Sequence, residues 1–138
     1  TSVRIRYDDH VLEDDIMLFF VANTNSVAGF EKLAPTASLN DGWFDLLVLK
    51  KASLPEFIRL ARLALKGEHV EDKKVLYTKA KHIEVDTDEK MQLNVDGEYG
   101  GLMPATFDNL THHLRLLVPR ETAERYAREI KEASSGAK

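Results

Sequence analysis

Six consecutive apolar residues, Ile16-Met17-Leu18-Phe19-Phe20-Val21, constrain this fold more than any other feature of the chain. A strand covered on one face alternates apolar and polar residues; an unbroken run calls for cover on both faces. The run is much shorter than the roughly 20 residues that a membrane-spanning helix needs. It therefore reads as a buried strand within a layered, β-rich structure.

The flanking sequence supplies partners for it. Val3 to Tyr7 alternates like a strand, Asp8-Asp9-His10 is a turn signal, and Val11 to Ala22 follows, together a β-hairpin. Strand patterns recur at Phe44 to Leu49, Val75 to Lys79, His82 to Thr87, Met91 to Val95 and Leu114 to Val118. Asp86 to Lys90 and Asp96-Gly97 are turns. Ser53-Leu54-Pro55-Glu56 reads as a helix start, with Ser53 as N-cap, proline in the first turn and Glu56 completing a capping box. Leu54, Phe57, Ile58, Ala61 and Leu65 then form an apolar stripe at helical spacing, and Gly67 supplies a left-handed C-cap. A second helix is expected over Glu121 to Ala133, with a thin apolar face of Ala123, Tyr126, Ala127 and Ile130. Between Ala22 and Asp41 lies a loop of about twenty residues, long enough to suggest a functional segment. About seven strands joined mostly by hairpins predict a mainly β fold with some α. The expected architecture is an antiparallel β-sandwich lobe with one internal helix and a C-terminal helix.

With 138 residues the chain has room for one domain with a substantial core. A strand beginning almost at the first residue, Thr1 rather than Met, leads to the expectation of a piece of something longer. The formal charge of −4 argues against a nucleic-acid binder, and the lack of cysteine excludes disulfides, thiolate zinc sites and cysteine nucleophiles.

Two short segments carry candidate chemistry. In Asn94-Val95-Asp96-Gly97-Glu98, two carboxylates flank a glycine in a tight turn. A carboxylate so placed could take a proton from a hydroxyl or help hold a metal; a plain hairpin turn with a solvated glutamate is the commoner use of such spacing. In Ser38-Leu39-Asn40-Asp41-Gly42-Trp43-Phe44-Asp45, Asp41 could bind a hard cation with neighbouring carbonyls, or simply sit in a turn. The five histidines (His10, His69, His82, His112, His113) lack metal-ligand spacing, and no phosphate-binding glycine motif is present. Arg59, Arg62 and Lys66 make a basic helix face that could meet anionic lipid headgroups, although such faces are more often merely solvated.

The order of these segments is more telling than any one of them. Asn23-Thr24-Asn25-Ser26, Gly29-Phe30, Ala34-Pro35, Asn40-Asp41-Gly42-Trp43-Phe44-Asp45 and Asn94-Val95-Asp96-Gly97-Glu98 together resemble the C-terminal domain of bacterial soluble diacylglycerol kinases, a family related to sphingosine and ceramide kinases. The resemblance covers roughly Leu12 to Pro119. It implies an ATP-dependent lipid kinase that converts diacylglycerol to phosphatidic acid, cytoplasmic and peripherally associated with the membrane surface. Glu98 matches the general base, and Asp96 a residue that organises the site. Asp41, with the main-chain carbonyls of Ser38 and Trp43, matches a Mg²⁺ site. The Gly-Gly-Asp-Gly-Thr segment that holds ATP in this family is absent, so ATP is expected to bind mainly to a separate N-terminal lobe. Residues 1–119 are then the β-sandwich domain, and residues 120–138 a helix and tail that dock on that lobe. A sphingoid base as substrate, a non-catalytic lipid- or partner-binding sandwich, and a homodimeric parent remain open.

Overall fold

The computed structural model describes residues 1–25, 32–111, 113, 114 and 117–135. Strands β1 (Ser2–Tyr7) and β2 (His10–Ala22) form the expected hairpin, followed by β3 (Phe44–Lys50). Helix α1 (Leu54–Lys66) and a 3₁₀ turn (His69–Glu71) lead to β4 (Val75–Ala80) and β5 (His82–Thr87). Then come β6 (Gln92–Val95), β7 (Glu98–Leu102), β8 (Ala105–Asp108) and α2 (Arg120–Ser135). Six strands form one antiparallel sheet in the order β4-β3-β2-β1-β5-β8, and β6 and β7 form a separate pair.

Strand β2 joins the two halves of the sandwich. Its first half pairs with β1 and its second with β3, with a register shift between Ile16 and Leu18. Such an irregularity bends a strand and lets one sheet turn across itself. Val3 and Ile5 of β1, Ile83 and Val85 of β5, Leu46 and Val48 of β3, Ile16 and Ala80 form a single buried cluster. Phe19 and Val21 pack against it from β2, cross-strand from Val48 and Leu46. The fold is thus the mainly antiparallel β-sandwich with two helices that the strand pattern predicts.

The apolar run of β2 is covered less completely than its composition suggests. Leu18, Phe20 and Val21 are half-buried and Met17 is 47% exposed. The final strand expected at Leu114 to Val118 is not formed: Leu114, Leu117 and Val118 are exposed and belong to no strand, while residues 115 and 116 lie outside the described residues. The last strands come earlier: β7 pairs with β6 and β8 with β5, and their Tyr99-Gly100-Gly101 and four-residue segments carry little strand signature. The long loop lies partly outside the described residues, Val27, Gly29 and Phe30 among them. Of its described part, Ala34 is buried and Leu39 exposed.

Helix α1 starts as expected. Glu56 accepts hydrogen bonds from the Ser53 N–H at 2.8 Å and the Ser53 hydroxyl at 2.7 Å, and Gly67 ends the helix at φ +80°. Those two bonds hold the Glu56 carboxyl below its ordinary pKa. Leu60 is the helix's buried residue, whereas Leu54, Ile58, Ala61 and Leu65 face outward.

Candidate functional site

The β6–β7 hairpin is an arm built to expose its tip. Asp96 has φ +51° and Gly97 φ +96°, the two successive positive values that a two-residue mirror-image turn requires. Glycine adopts such a value freely, and aspartate is among the few other residues that tolerate it. The Gly97 N–H donates to Asn94 Oδ1 at 2.9 Å, closing the turn. Val95 pairs directly with Glu98, so both side chains emerge on one face of the arm. At the base, the Met103 N–H donates to the Met91 carbonyl at 2.9 Å, and both methionines pack partly buried against the core. Gly100 lies tightly against the opposite strand: a Cβ there would come 2.5 Å from Val95 Cγ2, so that side chain would have to shift. Asp96 and Glu98 are exposed, and neither carboxylate has a hydrogen-bond or ion-pair partner among the described residues. Glu98 is thus an exposed carboxylate beside a two-residue turn, uncommitted to any other described residue.

The second candidate group lies at the start of β3. The Trp43 N–H donates to Asp41 Oδ1 at 3.0 Å, folding the segment around Gly42, which has φ +76°. A Cβ on Gly42 would sit 2.9 Å from Thr111 Oγ1, so the chain after β8 closes over this turn. The Lys81 ammonium lies 4.5 Å from the Trp43 ring centroid, over its face. Ser38 is exposed two residues before the Asn40-Asp41 turn. The structure therefore joins Asp41 and Trp43 by a hydrogen bond, with Ser38 in the chain just before them, and sets Asp96 and Glu98 on a different arm. No hydrogen bond or ion pair among the described residues links the two groups.

Around Asp41 the fold assembles residues to which the sequence alone gave no role. Lys79, opposite Asp45 in the β3–β4 register, sends its ammonium to Asp41 Oδ2 at 2.5 Å, to the Thr36 carbonyl at 2.9 Å and towards Asp45 Oδ2 at 3.5 Å. Asp45 is 1% exposed. Its Oδ1 accepts a short hydrogen bond from the Tyr77 hydroxyl and another from Thr36 Oγ1 at 2.8 Å. Its Oδ2 has no hydrogen bond of acceptable geometry, so the Lys79 contact is a charge contact only. Burial, then the bond to Asp45, pushes the Tyr77 hydroxyl above its ordinary pKa. Nothing local in the sequence marks this cluster, because it depends on strand register. The one clue is the spacing Tyr77-x-Lys79, which puts both side chains on one face of β4.

A buried Asp45 oxygen is left unsatisfied beside Asp41, an oxygen donor of the kind a hard cation takes. Both Asp41 oxygens, however, are already engaged, Oδ1 by the Trp43 N–H and Oδ2 by the Lys79 ammonium, so a cation there would have to displace Lys79. No cluster of three or more His, Asp or Glu side chains capable of holding a metal occurs among the described residues, so main-chain carbonyls would have to complete any oxygen shell. No helix among the described residues is long and apolar enough to cross a membrane.

Comparison with known proteins places these features in a family. The YegS C-terminal NAD kinase beta sandwich-like domain family matches residues 1–118. A diacylglycerol kinase of Bacillus subtilis (strain 168) is 57% identical over 124 residues, which are 90% of this chain and 41% of that protein. A diacylglycerol kinase of Staphylococcus epidermidis (strain ATCC 12228) is 49% identical over 120 residues, 87% of this chain and 38% of that protein. A crystal structure of a diacylglycerol kinase from Bacillus anthracis str. Sterne superimposes with a TM-score of 0.70 at 26% identity, over 88% of this chain and 42% of that one. The chain thus spans about two-fifths of the length of the curated relatives it matches. It belongs to the family of the YegS C-terminal, NAD kinase-like β-sandwich domain, the C-terminal domain found in proteins named diacylglycerol kinase.

Proposed function

We propose that this chain is the base-bearing lobe of an ATP-dependent lipid kinase that phosphorylates diacylglycerol to phosphatidic acid. The observation that carries the reading is the Asp96-Gly97-Glu98 turn, held on a projecting arm with its glutamate exposed and unpaired, in a chain 57% identical to a diacylglycerol kinase. Phosphoryl transfer asks a protein mainly for positioning and charge stabilisation. A carboxylate already used in an internal ion pair would be a poor proton acceptor; Glu98 is not so used. It accepts the proton of the lipid hydroxyl as that oxygen attacks the γ-phosphoryl group. Asp96 shapes the turn through its positive φ and adds negative charge beside the base.

Asp41, with the carbonyls of Ser38 and Trp43, would hold Mg²⁺, whose role there is to brace the turn before β3. Lys79 shares the Asp41 carboxylate, and Asp45 fixes that corner through Tyr77 and Thr36. ATP binds to the N-terminal lobe present in the longer relatives. Residues 1–119 act as the sandwich domain, while 120–138 dock on that lobe. The enzyme works at the cytoplasmic membrane surface, where its substrate resides.

The test is phosphatidic acid formation by the two-lobe protein with Mg²⁺-ATP and diacylglycerol in mixed micelles. Substituting Glu98→Gln preserves shape and removes the base; activity should fall by about 100-fold or more. A folded wild-type protein that phosphorylates a sphingoid base but not diacylglycerol would redirect the substrate assignment. A folded protein without any ATP-dependent product would leave a binding module.

A further inference from the structure

Helix α1 presents a face that the sandwich does not use. Leu54, Ile58, Ala61 and Leu65 recur at spacings of four, three and four and form a single line along the helix. Leu54 is 71% exposed, Ile58 46% and Leu65 66%. The face that meets the protein is a different one, centred on Leu60 at 4% exposure. An apolar line this continuous, left in water, points to contact with another apolar phase.

The charges beside it indicate which. Arg62 and Lys66 follow Ile58 by four and eight residues and therefore flank one edge of the apolar line. Both are exposed, and neither has an acidic partner among the described residues. Arg59, on the same side, is by contrast committed to Asp72 at 2.6 Å. The helix's one acid, Glu56, is turned back onto Ser53 to cap the first turn. At the other end Lys32 lies against the C-cap, its Cβ 3.4 Å from where a Gly67 side chain would begin. Exposed cations therefore run down to the helix end, the exposed carboxylates Glu68 and Glu71 following only beyond it. An apolar line bordered by unpaired cations matches an anionic bilayer surface, where leucines enter the acyl boundary and basic groups meet phosphates. A protein partner for this edge would have to supply a matching acidic strip.

We infer that α1 is the element by which this protein settles on anionic membrane, with Leu54, Ile58 and Leu65 inserting and Arg62 and Lys66 contacting lipid phosphates. The inference rests on the lipid-kinase reading for its purpose, and it names the surface that delivers the site to its substrate. It also makes the enzyme's own product, an anionic lipid, a ligand for its docking face.

The experiment uses the two-lobe protein, as wild type, Leu54→Gln/Leu65→Gln and Arg62→Glu/Lys66→Glu. Because these side chains are exposed, thermal unfolding should be unchanged, which confirms that each variant folds. Co-sedimentation is measured with phosphatidylcholine vesicles, with and without phosphatidylglycerol, and activity is measured on vesicle-borne and on monomeric short-chain diacylglycerol. Wild type should bind the anionic vesicles preferentially, and each double variant should bind them roughly tenfold more weakly. Their activity should fall on vesicles and stay unchanged on the monomeric substrate. Vesicle binding by both variants equal to wild type would overturn the inference. Equal losses of activity on both substrates, or a change in oligomeric state in the variants, would also overturn it, assigning the face to the other lobe or to a second copy. Wild-type activity on the monomeric substrate separately tests the kinase reading, so the two can fail independently.

Discussion

Two carboxylates in this chain are held in opposite ways, one inside the fold and one at its surface. Asp45 is buried, accepts from Tyr77 and Thr36, and leans towards the Lys79 ammonium. Glu98 is exposed on its turn, with no partner among the described residues. Removing a buried carboxylate strands its donors, so Asp45→Ala should destabilise the protein by about 2–3 kcal/mol, and Tyr77→Phe by about 1 kcal/mol, in denaturant unfolding. Glu98→Gln should leave that midpoint in place. Equal tolerance of Asp45→Ala would remove it from the frame. Glu98 and Asp41 could be singled out from the sequence because each belongs to a compact segment with turn residues beside it. Tyr77, Lys79 and Thr36 could not: what makes them a unit is the pairing of Asp45 with Lys79 across β3 and β4, a long-range register that local spacing does not encode.

At the scale of elements, the 3₁₀ turn after α1 is tied to the chain before β3 by one histidine. His69 is 3% exposed; its Nε2–H donates to the Leu33 carbonyl at 3.1 Å, while Nδ1 is buried without a partner. Burial pushes its pKa below the ordinary 6.5, so the folded chain holds it neutral. The unfolded chain then binds the proton more readily, and stability is lost as pH falls below that value. His82 works the other way: Asp108, then Glu84, raise its pKa, so its contribution is full in acid and fades as pH rises. The difference between wild type and His69→Gln isolates the first effect. Between about pH 7.5 and about pH 5.5, wild type should lose more stability than His69→Gln does, measured by thermal unfolding. Parallel profiles would mean that His69 is not held neutral. Elements also differ in how far the sequence exposes them. Alternation marks β1 and β4 to β6, apolar runs mark β2 and β3, and the capping box marks the start of α1. Glycines hide β7, and brevity hides β8. Periodicity identifies the apolar line of α1 but is silent on whether anything covers it.

For the whole molecule, the arrangement is a self-contained sandwich core carrying three outward features: the β6–β7 arm, the exposed line of α1, and α2. Among the described residues, α2 makes no extended contact with any other element. Its sequence pattern nevertheless sets Ala123, Tyr126 and Ala127 on one helical face. Deleting residues 120–138 should therefore leave the unfolding midpoint of the isolated sandwich unchanged, while kinase activity of the two-lobe protein falls. A lowered midpoint would instead make α2 part of the sandwich itself.

Glu98, presented by a turn whose positive φ values suit Asp96 and Gly97, is proposed as the base of a lipid kinase. Phosphatidic acid formation by the two-lobe protein, wild type beside Glu98→Gln with matched unfolding midpoints, tests it most directly. Wild type should form product, and the variant at least about 100-fold less. Undiminished product from Glu98→Gln would contradict it.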